Sequence, residues 1–251
     1  MKNLLHACVC LVLGLALVGL AAPAPGHCRD RALKVAIDIG HSPGKAGATS
    51  ARGVPEYLFN QTMAAGLLQY LKQRGFPLAF LINPAGHDIS LESRARAANA
   101  AGADVFLSIH HDSVQPEHLS TWHYNGSEQL YCDKYRGHSL FYSERNDAPQ
   151  QSLRLARLLG DALRRAGLTP TLHHVPYFNK PHKRLVDERR GIYRYDNLVV
   201  LKQTTMPAVL LECGVIVHRA EEQKLCTQDY RHKIMAAVLE TLRAFARQGS
   251  P

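Results

Sequence analysis

Acidic side chains are in short supply in this chain. Asp and Glu total 21 against 30 Lys and Arg, a formal charge of +9 over 251 residues. Tryptophan occurs once, and no two cysteines stand in a C-x-x-C spacing. The missing spacing removes a cysteine zinc knuckle. No second long apolar run follows the first 27 residues, so the remainder is expected to be soluble, with no stable membrane insertion. No tandem repeat and no low-complexity linker divides it. A length of roughly 225 residues then fits one domain. The surplus of positive charge favours a polyanionic partner. No recognised nucleic-acid motif accompanies it, which leaves nucleic acid a remote partner. The plainer reading is that surface arginines, as in "ARLLGDALRRAG", only solvate helix faces.

What is present begins with a leader. Residues 1–27 read "MKNLLHACVCLVLGLALVGLAAPAPGH": one lysine, an apolar segment from about Leu4 to Ala22, then small residues and prolines. This is the layout of a secretory signal peptide, cleaved between Ala21 and His27. An uncleaved anchor is the competing reading, since the run is near the ~18 residues that span a bilayer. Lys2 is the only charged side chain among these residues, so +8 remains on residues 28–251. Export, to the periplasm first and to the medium second, points to an acidic cell-envelope polymer as partner. It also permits disulfides. Cys28, Cys132, Cys213 and Cys226 allow three pairings, among which sequence does not choose.

Along the chain, strands and helices alternate. Residues 34–39 read as a buried strand bounded by glycine. Glu56 to Arg74 carries apolar residues at helical spacing, with Pro55 just before it and Gly75 and Pro77 after it. "PLAFLI" is a second strand, and "SLESRARAANAAGA" a helix capped by Ser90. "DVFLSIH" is a third strand, residues 150–166 a helix, "PAVLLECGVIV" a late buried strand, and "YRHKIMAAVLETLRAFARQ" a closing helix. Residues 112–148 and 168–197 read as irregular. The pattern predicts a single α/β domain, a twisted, mostly parallel sheet with helices on both faces.

In such sheets, function gathers at the carboxyl ends of strands. Three strands end in polar residues: His41, His110 and Glu212. With Glu56 at a helix start, His41 and His110 offer two imidazoles and one carboxylate. That set suits one Zn2+ and leaves a fourth position for water, as in a hydrolytic site. Glu212 lies in the apolar frame "AVLLECGV", where a carboxylate is costly unless paired or employed. It is the candidate general acid/base. Each has an ordinary reading taken singly. His41 caps a turn, Glu56 meets a helix dipole, and His110 and His111 are a surface pair facing opposite ways. Glu212 is a buried partner for Arg94 or Arg96. Jointly, polar groups at three strand ends and a helix start are much less expected by chance.

These residues carry a resemblance. "VAIDIGHSPG", "GVPEYLFN", "SLESRARAANAAGADVFLSIHHDS" and "LVVLKQTTMPAVLLECGVIVH", with the closing helix, resemble the zinc-dependent N-acetylmuramoyl-L-alanine amidases, the cell-wall amidase 3 family, from about Lys34 to Ala246. The resemblance implies that His41, Glu56 and His110 bind zinc and that Glu212 is the catalytic acid/base. It implies hydrolysis of the amide between N-acetylmuramic acid and L-alanine, in peptidoglycan or muropeptides, with zinc-bound water as nucleophile. Arg94 and Asn99 also fall on matched positions and read as structural. Ser42, the pair His111-Asp112 and "CGVIVH" depart from the family pattern beside the chemistry, removing none of the four residues. Some relatives plug the zinc site with a helix after the third strand and need an activator protein. Residues 114–148 show no long amphipathic helix, which predicts an unplugged site. Two alternatives stand beside this reading: another exported zinc peptidase or deacetylase, and a non-catalytic or partner-activated peptidoglycan-binding protein.

Overall fold

The computed structural model describes residues 33–247. The leader and Cys28 lie outside the described residues. β1 (Val35–Ile39) is buried along its whole length, because helices cover both of its faces. α1 (Glu56–Lys72) follows a long loop, residues 40–55, that ends at Pro55. β2 (Phe80–Ile82) is shorter than the apolar run around it. α2 (Leu91–Ala100) begins where Ser90 accepts a hydrogen bond from the Ser93 amide. β3 (Val105–Asp112) extends two residues past the expected end at His110.

The two stretches expected to be irregular contain strands. β4 (Ser120–Tyr124) and β5 (Ser127–Tyr131) form a separate hairpin, and β6 (Ser139–Tyr142) enters the main sheet. α3 (Pro149–Arg165) follows. Then β7 (Asn179–Lys180), β8 (Lys183–Asp187) and β9 (Ile192–Tyr195) build the far edge. α4 (Val199–Lys202), β10 (Ala208–Val215), α5 (Arg219–Leu225) and α6 (Gln228–Arg247) complete the chain.

The sheet order is β2-β1-β3-β10-β6-β9-β8-β7. The first four strands run parallel. β6 then pairs antiparallel to β10, β9 runs parallel to β6, and β8 and β7 add antiparallel edges. Side chains alternate between two cores. Val35, Ile37, Val105, Leu107, Ile109, Val209 and Leu211 face α1, α3 and α6. Ala36, Phe106, Phe141, Tyr193, Ala208 and Leu210 face the other way, toward Ala98 of α2 and Val200 and Leu201 of α4. The same alternation puts His110, Asp112 and Glu212 on the Phe106 face and His111 on the α1 face.

Candidate metal centre

β1 stops at Gly40, and His41 takes a left-handed backbone, φ 68°. A residue with a side chain holds that conformation at a cost of ~1–3 kcal/mol and needs support from outside. Arg94 supplies it. Its guanidinium donates to the His41 and Ile39 carbonyls and to Asp38 Oδ1 at 2.9 Å. Asp38 Oδ2 accepts from Ser108 Oγ at 2.7 Å. Arg94 is therefore a brace, as its position suggested, and its two terminal nitrogens donate away from Glu212. Arg96 is exposed and donates to Ser93 Oγ.

Glu56, on the first residue of α1, is the hub. Its Oε2 lies 3.0 Å from His41 Nε2, and its Oε1 lies 3.1 Å from His110 Nδ1. The Ala48 amide donates to Oε2, while Asn60 Nδ2, one turn along α1, and the His111 amide donate to Oε1. Burial alone would raise this carboxyl. The hydrogen bonds and charge of His110 and His41 outweigh that and hold it well below the usual carboxylate range. Two glycines make the cluster fit. A Cβ on Gly40 would lie 2.5 Å from the His110 ring, and one on Gly47 would lie 2.4 Å from Glu56 Oε2. Each imidazole thus faces its own carboxylate oxygen. The three donor atoms lie within 4.8 Å of one another. Two nitrogens and one carboxylate at this spacing fit a zinc ion.

His111 is not in this cluster. It points to α1, where Nδ1 meets Asn60 Oδ1 at 2.8 Å and the ring packs on Phe59. Burial pushes its pKa down to about 3. Glu212 is brought alongside: it is the register partner of His110 across the β3–β10 ladder. Its Oε2 is closed to solvent and has no hydrogen-bond partner. Burial first, then the charges of Asp112 and Glu56, push its carboxyl well above the ordinary range. The register shifts at once, between Glu212 and Val215, before pairing resumes at Val215 and Asp112 on the rim.

A family model described as N-acetylmuramoyl-L-alanine amidase matches residues 35–244. The chain belongs to this amidase family. AmiC of Escherichia coli O6:H1 is 23% identical over 256 residues, 92% of this chain and 57% of AmiC. The crystal structure of N-acetylmuramoyl-L-alanine amidase from Clostridium difficile 630 superposes with a TM-score of 0.67 at 23% identity, covering 87% of this chain and 99% of that one. The catalytic domain of CwlV from Bacillus (Paenibacillus) polymyxa var. colistinus gives 0.61 at 27% identity, covering 84% and 96%. The chain spans about half the length of the first curated relatives it matches.

Within this chain, sequence reasoning missed Asn60, Asp38 and Ser108. Asn60 ties Glu56 to the Gly40 carbonyl and to His111. Its i+4 spacing from Glu56 was the available signal. Asp38 and Ser108 sit inside apolar strands, where a lone polar residue marks a buried partner. Asp112 pairs with His173 and His174, which arrive from beyond α3. The described cysteines, Cys132, Cys213 and Cys226, are not bridged to one another.

Proposed function

We propose that this chain hydrolyses the amide between N-acetylmuramic acid and L-alanine in peptidoglycan or its muropeptides. His41 Nε2, Glu56 and His110 Nδ1 would hold one Zn2+, and Glu212 would act as general acid/base. The observation that carries the reading is the Glu212 carboxyl beside His110, its Oε2 closed to solvent and without a hydrogen-bond partner, on the strand next to the imidazole–carboxylate–imidazole cluster. Bound zinc supplies Lewis-acid polarisation of the scissile carbonyl and a nucleophilic water at neutral pH. Glu212, with its affinity for protons raised by burial, takes a proton from the attacking water and passes it to the leaving nitrogen. Arg94 keeps the His41 turn fixed while this happens. The half-exposed edge of His41 marks the side from which substrate enters. The net positive charge attracts the carboxylates of the stem peptide.

The leader read in the sequence and this substrate support action outside the cytoplasm, in the periplasm in the first instance. No helix of the described residues is long and apolar enough to cross a membrane. Among the described residues between β3 and α3 the only helical turn is a three-residue 3-10 helix, Pro116–His118, and no α-helix stands there for an activator to displace. The test is mass spectrometry of sacculi, and separately of small muropeptides, incubated with zinc-loaded protein and with chelated protein. Zinc-dependent release of stem peptides with a free L-alanine amine is expected. Absence of release from both substrates would overturn the proposal, and release of acetate instead would move it to deacetylation.

A further inference from the structure

Asp112 ends β3 two residues beyond His110 and on the same face of the sheet. His173 and His174 come from the loop after α3. Both aim Nε2 at one atom, Asp112 Oδ2: His174 from 2.7 Å and His173 from 3.5 Å. The three donor atoms fall within 4.8 Å of one another, the same limit that the first cluster meets. We propose that Asp112, His173 and His174 form a second site for a late first-row divalent cation, with zinc the natural occupant. This inference uses none of the three ligands assigned to the first site.

Four observations support it. The first is an orphaned donor atom. His173 is 2% exposed, and its Nε2 is shut from solvent without a hydrogen-bond partner while facing a carboxylate. A hydrogen-bonded network would leave that nitrogen unused; a cation between the three side chains would take its lone pair. The second is the support behind the ligands. Thr171 Oγ1 sits 3.0 Å from His173 Nδ1, which fixes the ring and turns Nε2 inward. The Ser113 amide donates to Asp112 Oδ1 at 2.9 Å and leaves Oδ2 for the site. Outer partners of this kind orient metal-bound imidazoles and carboxylates. The third is the wall: the His174 ring packs on Phe141, Phe178 and Tyr193, and the His173 ring on Tyr135. The fourth is spacing. Bonds of ~2.0–2.1 Å to a tetrahedral ion set donors roughly 3.3 Å apart, and the two separations here lie on either side of that. Two imidazoles and one carboxylate select zinc and its neighbours over magnesium or calcium, which prefer all-oxygen shells.

The experiment counts metal. The metal-free full chain is dialysed to equilibrium against Zn2+, metal per chain is measured by mass spectrometry, and Co2+ absorption reports the geometry of each site. The wild type is expected to hold two ions. His174→Gln and Asp112→Asn should each hold one, as should His41→Ala, and His41→Ala combined with His174→Gln should hold none. Thr171→Val should weaken only the second ion, by about 10–100-fold. Circular dichroism of each variant shows that it is folded. One ion in the wild type, lost in His41→Ala and kept in His174→Gln, would overturn the second site. So would two ions retained in both His174→Gln and Asp112→Asn. One ion kept in His41→Ala and lost in His174→Gln would support the second site while overturning the first.

Discussion

Two clusters on the rim of the central sheet, both rooted in its parallel half, do different work with similar side chains. The first takes His41 from the turn after β1, Glu56 from α1 and His110 from β3, with Glu212 of β10 alongside. There the carboxylate divides its two oxygens, one to each imidazole. Two residues beyond His110 on the same strand, Asp112 receives two consecutive histidines from the loop after α3, and both converge on a single oxygen. The first arrangement is spread over three elements and opens to solvent at His41. The second is drawn from one strand end and one dipeptide, and it is walled by aromatic rings. The difference teaches where an exchanging ligand can enter. An open, divided carboxylate suits turnover, whereas an enclosed, shared one suits an ion that stays.

The most severe way to break this contrast is to remove an imidazole from the open cluster. His110→Ala is expected to lose the ion there and to reduce stem-peptide release to the level of chelated protein, read by metal analysis and mass spectrometry on one preparation. Next comes Glu212→Gln, which should lower turnover by about 10²–10⁴-fold while keeping its zinc. Turnover near wild type in that variant would remove Glu212 as the acid/base.

The halves can then be compared by stability. Arg94→Met leaves the buried Asp38 carboxylate without its cation and should cost about 3–5 kcal/mol in urea unfolding. Arg184→Met, which breaks the exposed pair with Glu144 at the far edge, should cost under about 1 kcal/mol. Equal losses would mean that the edge is as tightly built as the rim.

A last contrast is in pH. Burial pushes His138, beside β6, down to about 4. The unfolded chain binds that proton from about pH 6.5 and the folded chain does not, so stability falls as pH drops from about 6.5 to about 4. The loss is at most about 3 kcal/mol, and His138→Leu should flatten this part of the stability–pH curve.

Much of the parallel half was legible in the chain alone. Strands buried on both faces are continuous apolar runs. A glycine or a histidine at the end of such a run announces the rim, which made His41, His110 and Glu212 visible. The antiparallel half was not. β7 is two residues long, and β8, "KRLVD", carries charge along an edge and so has no apolar signature. The doublet His173-His174 was visible as composition only. Nothing in its spacing tells of Asp112, because the two meet through the β3–β10–β6 ladder rather than through local sequence. Alternation did indicate that His110 and His111 face opposite ways. Which of them faces Glu56 depends on the depth of α1, which the pattern of apolar residues does not encode.

One detail of the ladder has a mechanical meaning. Glu212 and His110 are register partners on adjacent, largely buried strands, so their separation is a dimension of the sheet and not of any loop. Fluctuations of the surface cannot draw these two residues apart or bring them together. Those strands belong to the slowest-opening part of a protein, where backbone amides exchange only as the whole core opens. The chemistry would then have no partial failure of its own: warming should leave each molecule fully competent until it unfolds, and a falling rate would count intact molecules rather than loosened sites.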